Sequence, residues 1–120
     1  MANTSPRQPR NWLRKFGDAL RGCGIAFHRQ HSFWVHAVFA VAVLLAGLFV
    51  DLQPWQWCTV LLCIVAVLVA EMLNTALEQL AQAVDRNYNP HIRDALDMGS
   101  AAVLLAAVGA VAIGAVVFLL

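Results

Sequence analysis

The sequence predicts an all-α membrane protein: an amphipathic helix lying on the bilayer surface, followed by three transmembrane helices. Three observations lead there. Of the 120 residues, 61% are hydrophobic and only 12% are charged, and the mean hydropathy is +0.68. A soluble domain of this size cannot hide so much apolar surface, because small domains bury only part of what their chains expose. The apolar residues fall into three blocks, 32–50, 55–70 and 99–120. All eight basic residues lie on one side of the topology those blocks define.

Taken in order, residues 1–10 are polar and carry Pro6 and Pro9, the composition of a disordered lead-in. Residues 11–31 form an amphipathic helix. At the helical period Trp12, Leu13, Phe16, Leu20, Cys23 and Phe27 share an arc of roughly 100°. Arg14, Lys15, Asp18, Arg21 and Arg29 oppose them. That pattern suits a helix in the interface with its basic face toward anionic headgroups; a core-facing helix is the alternative. Residues 32–120 make the membrane domain, with spans at 32–50, 55–83 and 97–120. The apolar blocks reach roughly 28, 24 and 33 Å against a hydrocarbon core of about 30 Å. The middle block therefore crosses only if Glu71 sits near an interface. Residues 51–54 turn outside the membrane, where Pro54 suits a first helical turn. Trp55 and Trp57 fall where an outer aromatic belt belongs, and Trp12 and Trp34 flank the inner one. Residues 85–90 are rich in turn formers. The third span is dense in glycine and alanine, which lets helices approach closely. Three spans alone make a thin bundle, so oligomerisation is expected.

Arg7, Arg10, Arg14, Lys15, Arg21 and Arg29 precede the first span, and Arg86 and Arg93 lie between the second and third. The positive-inside rule puts the N-terminus and residues 84–97 in the cytoplasm and the C-terminus outside, in a multi-pass membrane protein. Topology accounts for the basic charge, so neither nucleic acid nor a soluble partner is needed to explain it. The charged stretch before the first block does not read as a secretory signal. Cys23, Cys58 and Cys63 lack C-x-x-C spacing and read as reduced packing residues.

The chemistry concentrates on one face. Glu71, Asn74 and Glu78 are spaced i, i+3, i+7, which stacks them along one side of a helix, with Thr75 and Gln82 beside them. Carboxylates near the apolar zone are expensive and mark function. Asp97 opens the third span, with Ser100 one turn deeper. Hard oxygen ligands beside a second carboxylate suit Mg²⁺-assisted phosphoryl transfer, one carboxylate on the metal and another accepting a hydroxyl proton. Interhelical hydrogen bonding or an ion path is the competing reading of the same spacing. There is no glycine-rich P-loop. His28, His31, His36 and His91 read as headgroup contacts rather than metal ligands.

The segment Glu71-Met-Leu-Asn74-Thr75-Ala76-Leu77-Glu78 resembles the signature of the prokaryotic diacylglycerol kinase and undecaprenol kinase family. Asp97-Met-Gly-Ser100-Ala-Ala-Val103 resembles its second block, and Asn87-Tyr-Asn-Pro90 its cytoplasmic loop. The resemblance implies a small homotrimer with a surface helix and three spans per subunit. It implies a lipid kinase moving the γ-phosphate of ATP, with Mg²⁺, to the primary hydroxyl of diacylglycerol or undecaprenol. By that analogy Glu71 is the general base and Glu78 a Mg²⁺ ligand. Asn74 and Ser100 shape the lipid site, and Asp97 and Tyr88 lie by the nucleotide. The resemblance also implies sites formed between subunits. The chain departs from the pattern at several positions. A second metal-binding glutamate before the first span is matched by Gln30, an aspartate four residues past Glu78 by Gln82, and a lysine before Asp97 by Leu96. Glutamine keeps an oxygen ligand but loses a charge. The alternative is therefore a degenerate member acting as a lipid- or ion-binding, transport-like membrane module.

Overall fold

The computed structural model describes residues 11–29 and 31–120; the lead-in expected at 1–10 and Gln30 lie outside the described residues. Among those residues there is no strand, and four helices follow one another: α1 Trp12–Arg29, α2 His31–Val50, α3 Pro54–Val84 and α4 Pro90–Leu119. The chain is all-α. Its last three helices are each long and apolar enough to cross a bilayer.

α1 starts where Asn11 Oδ1 accepts a hydrogen bond from the Arg14 amide at 2.9 Å, filling one of the donors that a helix start leaves open. Its apolar stripe is bare: Trp12, Leu13, Phe16 and Leu20 are all exposed. Lys15 Nζ sits 4.9 Å from the Trp12 ring centroid, a cation–π contact on the edge of that stripe. At its far end α1 is tied to α2 by aromatic packing. Phe27 meets Phe33 edge-on at 4.7 Å and Trp34 at 5.2 Å, and the Trp34 indole N–H donates to the Phe27 carbonyl. Ala26 and Phe33 are buried there.

The turn between α2 and α3 needs one unusual backbone. Asp51 has φ of 61°, the left-handed region that a short polar side chain tolerates better than a branched one. Gly47 allows the close approach behind it, since a Cβ there would lie 2.8 Å from Trp57 Cη2 and 3.0 Å from Leu52 Cδ1. The small outer core forms at this end, from Leu52, Val60 and Val117 with Val43, Trp57, Ile64 and Phe118 around them.

α3 and α4 pack against each other far more extensively than α2 packs on α3. At about 1.5 Å per residue α3 and α4 are roughly 46 and 45 Å long, well beyond the ~30 Å of hydrocarbon. Their polar ends, at the 85–89 turn, therefore extend past the hydrocarbon. α4 begins at Pro90, ahead of the expected start of the third span at 97. Asn89 Oδ1 accepts from the amides of His91 at 2.9 Å and Ile92 at 3.4 Å, and Pro90 occupies the first turn, a strong start signal. Hydropathy marks where lipid begins; the cap marks where the helix begins, two turns earlier. Large side chains such as Phe39, Leu62 and Leu105 point away from the bundle, as expected where lipid rather than water is the solvent.

Candidate active site

Among the described residues, which expose most of their large apolar side chains, three polar residues are buried. Glu71 is 4% exposed, Thr75 5% and Asn74 9%. All three lie on α3 where its uncharged run ends: Glu71 is roughly 26 Å along the helix from Pro54. Thr75 Oγ1 donates to the Glu71 carbonyl at 2.9 Å, satisfying the hydroxyl within the helix. Asn74 Nδ2 donates to Glu78 Oε1 at 3.2 Å, which fixes the half-buried Glu78 carboxylate. Asn74 Oδ1 is left buried with no hydrogen-bond partner. A buried acceptor without a donor costs about 1–3 kcal/mol, so this atom marks a place where a donor is missing.

α4 closes over Asn74 at Gly99. A Cβ on Gly99 would overlap Asn74 Oδ1 and come within 3.1 Å of Leu77 Cδ1. Only glycine lets the two helices meet at this level. From the other side α2 brings His36, whose Nε2 lies 3.4 Å from Glu71 Oε2. Glu71 is thus enclosed by its own helix, Asn74 and a histidine from α2.

Below this face a cavity of about 630 Å³ opens where α3 ends and α4 begins, with Glu78, Gln82, Arg86, Tyr88, Arg93 and Leu96 in its wall. That size is in the range of small-molecule sites. Glu78 belongs to both features, so it joins the buried carboxylate to the lower cavity. Above the face a second cavity of about 430 Å³ lies among α2, α3 and α4, lined by apolar side chains and by His36. Of the residues singled out in the sequence, Glu71, Asn74 and Glu78 converge, and Tyr88 joins the lower cavity. Asp97 is 72% exposed, 3.9 Å from Arg93 Nε, and Ser100 is exposed beside Gly99.

The donor set bears on Mg²⁺. Among the described residues no group of three or more His, Cys, Asp or Glu side chains could hold a metal. At this face the described residues offer the Glu78 carboxylate, held by Asn74, and the unpartnered Asn74 oxygen next to it. Mg²⁺ is commonly bound by one or two carboxylates plus substrate phosphates and water, so this set fits a metal shared with a nucleotide and not a protein-only cage. Spacing alone singles out neither His36 nor Gly99. The signal for His36 is its isolation: an ionisable group inside an apolar span needs a partner.

The family model for prokaryotic diacylglycerol kinase matches residues 17–118, from within α1 to the last turn of α4. This chain belongs to that family. The undecaprenol kinase of Bacillus subtilis is 32% identical over 108 residues, covering 90% of this chain and 88% of that protein. The diacylglycerol kinase of Synechocystis is 35% identical over 105 residues, covering 87% of this chain but only 60% of that longer protein. As a member of the prokaryotic diacylglycerol kinase family, this membrane protein stands among lipid kinases, and the buried α3 face and both cavities lie inside the matched region.

Proposed function

We propose that this chain is an integral-membrane lipid kinase that transfers the γ-phosphate of ATP to the primary hydroxyl of a membrane lipid, of the diacylglycerol or undecaprenol class. The observation that carries the reading is the buried carboxylate of Glu71 at lipid depth. It shares a helical face with Glu78, which opens into a polar cavity. A lipid hydroxyl reaches that face from the bilayer and a nucleotide reaches it from the cytosol. Glu71 and Glu78 would then lie between the two substrates.

The chemistry follows from these groups. The lipid oxygen attacks the γ-phosphorus while its proton passes to the Glu71 carboxylate. The bond from γ-phosphorus to the bridging oxygen breaks, and ADP leaves with that oxygen. A base placed at the hydroxyl contributes about 10²–10⁴-fold, and alignment of the reactants contributes much of the rest. Asn74 holds Glu78 through Nδ2 and keeps Oδ1 free to receive a donor from the substrate. Arg86 and Arg93 supply positive charge at the lower cavity, and Tyr88 offers a ring face to the base. Glu78 would hold Mg²⁺, with Gln30 as a second oxygen; when bound, the ion supplies charge neutralisation on the transferring phosphate. Asp97 and Ser100, exposed on α4, would complete the site of a neighbouring subunit. The protein works as a homotrimer, with α1 on the cytoplasmic surface of the inner membrane, the N-terminus inside and the C-terminus outside.

The test is direct. Purified protein in lipid nanodiscs with Mg-ATP and a panel of diacylglycerols and polyprenols should yield phosphorylated lipid, assayed beside the Bacillus relative. No product across a panel on which that relative works would sink the kinase reading. One observation favours a second reading: Gln82 and Leu96 put uncharged side chains in the cavity wall, a poorer phosphate cradle. On that reading the chain binds lipid without modifying it, and the same assay would show lipid capture and no ADP.

A further inference from the structure

We propose that His36 is a positioning residue for Glu71: its Nε2–H donates to Glu71 Oε2 and fixes which carboxylate oxygen faces the lipid hydroxyl. The inference rests on the kinase reading for its consequence and on geometry for its substance.

A carboxylate enclosed in a helical bundle needs donors, and Glu71 has few. Thr75 donates to its backbone carbonyl, not to its carboxylate. Asn74 Nδ2 is committed to Glu78. The near donor is His36, whose Nε2 approaches Oε2 to 3.4 Å, with side-chain exposures of 23% for His36 and 5% for Glu71. Catalytic contacts of this length before substrate arrives commonly tighten into hydrogen bonds in the complex. The arrangement has the logic of a base that is itself oriented by a third group. It also explains why an otherwise apolar span carries an imidazole, since ionisable groups at that depth persist with a partner.

Position adds a second argument. His36 lies in the wall of the apolar cavity among α2, α3 and α4, so one edge of the ring meets Glu71 while another borders the space open to a lipid chain. With Nε2 engaged on Oε2, the other oxygen of Glu71 is free for the hydroxyl proton. Without the imidazole the carboxylate can turn, and the reacting oxygen is no longer held where the γ-phosphate arrives. The cost therefore falls on turnover and not on nucleotide affinity, because the ATP cavity is lined by other residues.

The test uses the full chain in nanodiscs, with two variants and one spectroscopic readout. His36→Leu should lower kcat tenfold or more, with KM for Mg-ATP within twofold of the parent. His36→Gln, which restores an N–H donor of similar reach, should recover most of that deficit. In the parent protein the ring nitrogens, labelled with ¹⁵N, should show an Nε2–H resonance that moves on Glu71→Gln and stays in place on Glu78→Gln. Full turnover in His36→Leu, or an Nε2 resonance indifferent to Glu71→Gln, overturns the proposal. The resonance is read without catalysis, so a parent protein that makes no phosphorylated lipid but shows the coupling defeats the kinase reading and leaves the pair standing.

Discussion

At the scale of single residues, the α3 face makes sharp demands. Glu71→Gln keeps the shape and removes the proposed proton acceptor, so lipid phosphorylation should fall about 10²–10⁴-fold. Retained oligomeric state and an unchanged circular dichroism spectrum would show that folding is intact. Gly99→Ala is informative in another way. Its methyl would overlap Asn74 Oδ1 and crowd Leu77, and overpacking of this kind costs about 1–3 kcal/mol. Activity should drop and the melting temperature should fall. Adding Asn74→Ala should restore the melting temperature by removing the overlap, yet leave activity low because Glu78 loses its tether. If Gly99→Ala alone were silent in both measurements, close packing of α4 on Asn74 would be disproved. Leu96→Lys tests the lower cavity: a cation beside Arg86 and Arg93 should lower KM for Mg-ATP with little change in kcat, measured in steady state. The triad Glu71, Asn74 and Glu78 was legible from i, i+3, i+7 spacing because all three lie on one helix. His36 and Gly99 were not, because each acts across a helix pair whose register spacing does not reveal. Hairpin arithmetic comes close for His36. Counting from the 51–53 turn puts it roughly 21 Å down α2 and Glu71 roughly 26 Å down α3, about one turn apart in depth.

At the scale of elements, the start of α4 sets the geometry of the lower cavity. Asn89 and Pro90 begin that helix in water, outside the apolar block. The turn they create carries Ile92, Arg93 and Leu96 into the cavity wall. Asn89→Ala removes the side-chain acceptor from the amides of His91 and Ile92 and should cost about 1 kcal/mol of local helix stability. Hydrogen exchange of amides 91–93 should accelerate while exchange in the membrane part of α4 stays slow, and KM for Mg-ATP should rise as the wall frays. Unchanged protection at 91–93 would show that the cap is idle. The spans themselves were readable from hydropathy, since lipid imposes a length that composition reports directly. The start of α4 was masked for the same reason. A hydropathy scan follows lipid, and the first two turns of α4 lie outside it, although Asn-Pro is a start signal when read for caps.

At the scale of the molecule, one chain leaves most of its apolar surface uncovered by its own side chains. Its few buried side chains are at the outer turn, the α1–α2 junction and the α3 face, while long runs of α2 and α4 carry exposed aromatic and aliphatic groups. Lipid can cover those, but Asp97 and Ser100 are harder to account for. Both flank Gly99, the point where α4 contacts Asn74, yet both turn outward in a single chain. Outward polar groups beside a reaction centre make sense if they serve the neighbouring subunit's centre. A shared site has a measurable signature. Glu71→Gln and Asp97→Asn should each be nearly inactive alone. If Asp97 of one subunit serves Glu71 of the next, co-assembled mixtures rebuild intact sites wherever the two variants meet in the right order. For equal mixing around a cyclic ring, about a quarter of the sites then carry both native residues, and activity should return to about that fraction of the unmodified protein. If both residues serve the same subunit's centre, every site in the mixture retains one defect and nothing returns.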